Sequence, residues 1–172
     1  MLTKKLLNYK TRGLAKKNSF PRTSMQYNQV NLVGLIFTIG SKEKHESIKS
    51  LVKRLEEDGK KVVVLAFLPK KQENHEFLFD FFTEKEVSFW GKINSDKVSS
   101  FAKQPFDYLF YIDQESNLLI RNVLAMSKAK CRISTYDEQN SQYSEMMVQV
   151  PGKGASIKQL VDEMYRYTKL LS

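Results

Sequence analysis

The apolar and polar positions of the chain alternate between strand-like runs and helix-like stripes. Residues 30–39 and 61–68 are continuous apolar runs rich in β-branched side chains, which is typical of strands covered on both faces. Between them, residues 42–57 repeat apolar side chains at intervals of three and four, which predicts a helix. A strand, a helix and a second strand in this order predict parallel strands joined by a right-handed crossover.

The same alternation continues to the carboxyl end of the chain. Further strands are predicted at residues 107–113, 131–135 and 146–150, and further helices at residues 95–103, 116–129 and 157–171. The middle is less regular, where the aromatic-rich residues 73–83 suggest a short helix and residues 86–93 a short strand or extended segment. Together these elements predict an α/β fold, a three-layer, Rossmann-like and mostly parallel sheet of about five strands.

The first 25 residues differ from the rest of the chain in charge. They contain no Asp or Glu and seven basic residues: Lys4, Lys5, Lys10, Arg12, Lys16, Lys17 and Arg22. The chain has a net charge of +9, but the residues after this segment hold 21 basic and 19 acidic side chains and are close to neutral. Apolar side chains recur at helical spacing in residues 2–17, which predicts an amphipathic helix. We therefore divide the chain into a basic arm and linker, residues 1–28, and a single α/β domain, residues 29–172.

A basic segment without carboxylates suits a phosphate backbone. The first functional hypothesis is therefore a non-enzymatic binding protein. Its seven basic side chains would contact RNA, ribosomal RNA included, while the α/β body docks to a partner. Tyr9 and Phe20 lie among the charges, which favours contact with RNA or lipid over a solubilising tail. Two alternatives stay open: a basic helix lying on an anionic membrane surface, and an organelle transit peptide.

The second hypothesis is a small enzyme or ligand-binding domain that uses the carboxyl edge of the sheet. Asp113 ends a predicted strand at the edge where open α/β sheets bind ligands, and Glu115 follows it. Lys153 lies in a glycine-containing loop that lacks the spacing of a phosphate-binding loop. The favoured interpretation at this edge is structural: Asp113 or Ser116 would cap the next helix.

The only tryptophan of the chain lies in the sequence Phe89-Trp90-Gly91-Lys92. We interpret it as a core aromatic that covers a sheet edge. The alternative is an exposed Trp90 that stacks on a base or a sugar, with lysines such as Lys85 and Lys97 nearby.

Several classes of chemistry are not predicted. The single cysteine, Cys131, cannot form an internal disulfide, which favours a reducing, cytoplasmic location. Cys131, His45 and His75 lack the spacing of metal ligands, so we predict no metal site. The turn at Gly40 has one glycine where a dinucleotide fingerprint needs three, so we predict no cofactor. The sequence leaves open whether the protein is an enzyme, and it favours a non-enzymatic role.

Three stretches of the chain resemble an uncharacterised family of short proteins from Bacteroidota bacteria. They are residues 90–93 (WGKI), 106–109 (FDYL) and 124–134 (LAMSKAKCRIS). The resemblance extends over the whole chain and implies a bacterial cytoplasmic setting, without an activity. Residues 106–134 also resemble the N-terminal half of heptosyltransferase-type glycosyltransferases. Those enzymes bind the nucleotide sugar with a second Rossmann-like domain for which this chain has no room, so that resemblance implies lost sugar transfer.

Overall fold

The computed structural model describes residues 2–72, 78–151 and 154–171. The strands are β1 (Leu32–Thr38), β2 (Lys61–Leu68), β3 (Asp80–Thr83), β4 (Tyr108–Tyr111), β5 (Cys131–Thr135) and β6 (Met146–Val148). The helices are α1 (Leu2–Lys17), α2 (Lys42–Glu57), α3 (Asp96–Lys103), α4 (Leu118–Met126) and α5 (Ile157–Lys169). The six strands form one sheet in the order β3-β2-β1-β4-β5-β6, and all neighbouring pairs are parallel.

Two helical layers cover the sheet because side chains of a strand point alternately to its two faces. On one face, Phe37 of β1 and Phe110 of β4 pack against the apolar stripes of α2 and α5. On the other face, Ile36 of β1 and Tyr111 of β4 pack against α3 and α4. Both faces of the central strands are buried, which explains why these strands are continuous apolar runs rather than alternating ones.

The predicted α/β class is confirmed, as is the helix at the amino end. The sheet has six strands rather than about five, because residues 80–83 form β3. The prediction of a helix over residues 73–83 is therefore wrong for its last part, and residues 73–77 lie outside the described residues. A short edge strand fits this segment since Phe82 is buried against β2, where its ring lies 5.3 Å from that of Phe67.

The segment at residues 86–93 does not form a strand of the sheet. Val87 and Ile93 instead face each other across an isolated antiparallel bridge, and the chain turns back between them. A glycine in the left-handed region, Gly91 with φ of 72°, permits this turn. The turn projects from the α3 and α4 side of the sheet, since Val87 and Ile93 belong to the core on that side.

Candidate functional site

A crevice of about 1140 Å³ opens at the carboxyl ends of β1 and β4. The chain runs from β1 to one side of the sheet and from β4 to the other, so the strand order reverses between these two strands. Ligands of open α/β sheets bind at such a reversal. Three segments border the crevice: the loop after β1, the turn before α4 and the start of α5. They contribute, among other residues, Gly40, Asn117 and Ser156 respectively.

Asp113 lies at this reversal and holds β1 and β4 together. Its carboxylate accepts hydrogen bonds from the backbone N–H of Thr38 (2.9 Å) and the hydroxyl of Thr38 (2.6 Å). It also pairs with the ammonium group of Lys44 from the first turn of α2, and both side chains are nearly buried. The cap of α4 is Asn117, whose side chain accepts the N–H of Leu119, so the proposed cap role for Asp113 or Ser116 is wrong. Asp113 is a fully hydrogen-bonded structural carboxylate rather than a free base.

The other residues predicted at this edge are not brought into one cluster. Glu115 borders the crevice, and its carboxylate makes no hydrogen bond to the described residues. Lys153 lies outside the described residues. The described lining carries three cations, Lys4, Lys44 and Arg121, against four carboxylates, Glu43, Glu84, Asp113 and Glu115. The described lining therefore has one carboxylate more than it has cations, and it contains no histidine or cysteine.

Helix α1 carries the basic segment and is packed against α4. Leu7 is buried, and the hydroxyl of Thr11 is buried where it accepts a hydrogen bond of 2.8 Å from the side chain of Asn122 in α4. Just past the helix, the side chain of Asn18 donates to the carbonyls of Ala125 and Ser127, both at 2.9 Å. Side chain-to-backbone contacts thus fix α1 in one orientation on the body.

Arg22 belongs to this attachment rather than to an open basic surface. Its guanidinium donates to the carbonyls of Ser127 and Ala129 at the end of α4. Burial, together with the nearby charge of Arg132, lowers the pKa of Arg22 to about 10. The next backbone N–H, that of Thr23, donates to the carbonyl of Lys130. The predicted linker therefore runs along the body in hydrogen-bonded contact.

The remaining basic residues of α1 point outward. Five are exposed and one, Lys10, is half-buried; the exposed residues are Lys4, Lys5, Arg12, Lys16 and Lys17, which we call the basic face. Lys5, Arg12 and Lys16 are spaced by seven and four positions and so lie in one row along the helix. Tyr9 falls in the same row and is 78% exposed. Three of the seven predicted RNA-contacting residues thus lie in one row, with Lys4 and Lys17 to either side of it. Arg22 is separated from them.

The turn between Val87 and Ile93, which we call the aromatic turn, presents two large aromatic side chains to solvent. Phe89 is 73% exposed and Trp90 is 66% exposed, and their ring centroids lie 5.6 Å apart in an edge-to-face arrangement. The interpretation of Trp90 as a core aromatic is therefore wrong. Other aromatic side chains, such as Phe82 and Phe106, fill the core on this side of the sheet without Trp90.

A family model, described as a family of unknown function (DUF6913), matches residues 3–171. The chain belongs to this DUF6913 family. The match covers the residues of the basic face, the aromatic turn and the crevice. It agrees with the resemblance to an uncharacterised family, but it does not extend to heptosyltransferases or to a bacterial group. The comparison with curated proteins finds no match for the chain.

Two kinds of feature are absent from the described residues of this DUF6913 protein. Within residues 2–72, 78–151 and 154–171, no helix is both long and apolar enough to cross a membrane. Over the same residues, no three histidine, cysteine or carboxylate side chains form a group that could hold a metal ion.

Sequence reasoning missed Thr38 and Lys44, which the structure joins to Asp113. Thr38 is the last residue of β1 and Lys44 lies in the first turn of the next helix. Both positions were visible in the sequence as the carboxyl end of a strand and the start of a helix. The missing information was the strand order, because only the adjacency of β1 and β4 brings Asp113 to Thr38.

Proposed function

We propose that this DUF6913 protein is a non-enzymatic RNA-binding protein whose basic face contacts phosphates. The observation that supports this proposal best is the basic face itself: five exposed cations on a helix that holds no carboxylate. Because contacts to Asn122 and α4 fix the helix, these cations are held in set positions rather than on a flexible tail. Fixed cations lose less entropy when they bind phosphates than cations on a disordered segment do.

The charge of the two candidate sites favours RNA at α1 over a ligand at the crevice. A polyanion needs an excess of cations, which the basic face has and the crevice lining lacks. The docking of α1 also bears on the membrane alternative. A membrane-bound amphipathic helix inserts its apolar side into lipid, whereas the apolar side of α1 packs on α4 through Leu7 and Leu14. Insertion would require undocking.

The proposal includes ribosomal RNA as a target and the cytoplasm as the location of the protein. The free cysteine, Cys131, is buried and its pKa is raised by burial to about 11, so it is an unreactive thiol that suits a reducing compartment. Sedimentation of the protein with purified ribosomes in low and in high salt tests the ribosomal target. Sedimentation with ribosomes that is lost in high salt would support it, and its absence in low salt would contradict it.

The test of RNA binding compares two triple variants with the same change in net charge. One replaces Lys5, Arg12 and Lys16 by Ala; the control replaces Lys53, Lys61 and Lys158, exposed lysines of α2, β2 and α5. Affinity for a labelled single-stranded RNA is measured by fluorescence anisotropy as a function of salt. Losing three phosphate contacts makes the negative slope of log K against log salt shallower by about 2. An unchanged slope, or an equal loss in the control, would contradict the proposal.

A second candidate function, a small-molecule binding site, is favoured by the position of the crevice at the reversal of strand order. Its volume of about 1140 Å³ lies just above the upper end of the range of small-molecule pockets, roughly 1000 Å³. The resemblance of residues 106–134 to heptosyltransferase-type enzymes adds sugar phosphates to the nucleotides worth testing. A compound that binds the native state raises the melting temperature. A thermal-shift screen of nucleotides and sugar phosphates in which none raises it would contradict this second function.

A further inference from the structure

We infer that Phe89 and Trp90 form a base-stacking platform for single-stranded RNA, next to the basic face; this inference rests on the proposed RNA binding. Two large aromatic rings rarely lie exposed side by side, because each would remove a large apolar area from water if it were buried. Here both are more than half exposed, although α3 and α4 bury other aromatic residues nearby in the same layer. Exposure of this pair therefore calls for a partner that covers it.

The turn that carries the pair is held by hydrogen bonds at its base. The N–H of Ser88 donates to the carbonyl of Lys92 (2.8 Å), and the N–H of Gly91 donates to the carbonyl of Ser88 (2.8 Å). The hydroxyl of Ser88 accepts the N–H of Lys92 at 3.0 Å. The two rings are thus presented by a closed turn, so stacking on them orders little additional backbone.

Gly91 places this turn directly against α1. A Cβ atom added to Gly91 would lie 3.1 Å from the Cα and 3.3 Å from the backbone nitrogen of Leu7, which shows how closely the two backbones approach. Lys4, three positions before Leu7, lies on the same side of α1 as Leu7, and Lys92 directly follows Gly91. The aromatic pair therefore lies near Lys4, the first residue of the basic face.

An aromatic pair beside lysines has the chemistry of single-strand recognition. Ammonium groups contact the phosphates, while the rings stack on bases whose faces are free. In a duplex the base faces are already stacked on each other, so the rings would have no base to contact. The cations fit a polyanion, and the adjacent rings select its single-stranded form. The occupant we assign to this surface is consequently a single-stranded RNA rather than a duplex, a lipid or a protein.

Trp90 is the only tryptophan, so its fluorescence reports on this site alone. The full-length protein is titrated with a single-stranded oligouridine RNA of about 12 nucleotides and with an RNA duplex of the same length. We expect the single strand to quench Trp90 emission and the duplex to leave it nearly unchanged. Equal quenching by both RNAs, or no quenching by the single strand while anisotropy shows that it binds, would overturn the inference.

Variants of the platform separate stacking from charge. By anisotropy, Phe89→Ala and Trp90→Ala should each weaken single-strand binding by about 5- to 100-fold, the range expected for loss of one stacked base. Trp90→Phe keeps a ring and should retain most of the affinity. The slope of affinity against salt should stay unchanged in all three, because no cation is removed. Tyr136→Ala, at an exposed aromatic 54% accessible on the loop after β5, is the control and should bind normally.

The outcomes distinguish failure of the inference from failure of the proposed function. If the basic-face variant loses RNA affinity while Phe89→Ala and Trp90→Ala bind normally, RNA binding stands and the platform is wrong. If the wild-type protein binds no RNA, both are wrong. If the two aromatic variants bind RNA normally but lose binding to phosphatidylserine-containing vesicles, the platform serves lipid and the inference is overturned.

Discussion

The interactions that hold the amino-terminal segment, residues 2–27, on the protein differ from those that hold the α/β body together. In the body, α2 and α5 each bury five side chains against the sheet or each other. In α1, two of the described side chains are buried, Leu7 and Thr11. Leu14 and Ala15 add partly buried apolar contacts, and hydrogen bonds from polar side chains to the backbone, such as those of Asn18, complete the attachment.

This difference has a consequence for stability and for function. An isolated helix of this length is marginal in water, so α1 depends on its docking. Apolar burial in the body is extensive, whereas each hydrogen bond that attaches the amino-terminal segment contributes about 1 kcal/mol. The body should therefore unfold as one unit, and α1 should be the first element to detach. Detachment would separate the basic face from the aromatic turn without unfolding the sheet.

The largest effect is expected in the body, at the clamp between β1 and β4. Asp113→Ala leaves the ammonium of Lys44 and the N–H of Thr38 without an acceptor. Removing one partner of a buried ion pair costs about 3 to 5 kcal/mol of the free energy of unfolding. Urea unfolding followed by circular dichroism measures this. Glu115→Ala, in the same crevice but without side-chain hydrogen bonds to the described residues, should change stability by less than about 0.5 kcal/mol. Equal effects would show that Asp113 is not a clamp.

A smaller and local effect is expected in the segment. Asn18→Ala removes the donors to the carbonyls of Ala125 and Ser127, which should weaken docking by about 1 to 3 kcal/mol. Hydrogen exchange should then accelerate in α1 while β1 and β4 keep their protection. Ser19→Ala, at the neighbouring exposed residue, is the matched control and should exchange like the wild type. Acceleration in the central strands as well would mean that α1 is an integral part of the body.

Acid sensitivity should belong to the body alone, because residues 1–25 contain no carboxylate. Burial by itself would raise the pKa of Asp107, but hydrogen bonds from Lys130, Leu32 and Asn31 outweigh it and hold this pKa below its ordinary value of 3.8. The stabilisation is then complete above that value and is lost as the pH falls through the lower, folded-state pKa. Asp107→Asn should be less stable than the wild type at neutral pH, and the two should converge in acid. A difference independent of pH in urea unfolding would contradict this.

The sequence predicted the secondary-structure elements better than it predicted which strands lie next to each other. The apolar pattern located α2 and β2 at their observed bounds, Lys42–Glu57 and Lys61–Leu68, because a long periodic stripe and a continuous apolar run are strong signals. It could not reveal that β1 lies next to β4, and so it left Asp113 without Thr38. It also could not decide the exposure of Trp90, since exposure depends on what the rest of the fold packs.

The smallest expected effect is an increase in stability. A glycine-to-alanine substitution should stabilise the amino-terminal segment and destabilise the body. Gly13 lies inside α1, and a Cβ atom added there would meet nothing within 4 Å. Gly13→Ala should therefore stabilise the helix by about 0.5 to 1 kcal/mol and slow hydrogen exchange in α1. The same substitution in the body should destabilise, because a Cβ at Gly34 of β1 would lie 2.9 Å from the side chains of Leu109 and Phe106. If α1 gains protection without a change in global unfolding, the helix opens on its own. If global unfolding shifts by the same amount, α1 and the body unfold together, and the comparison between two differently held regions fails.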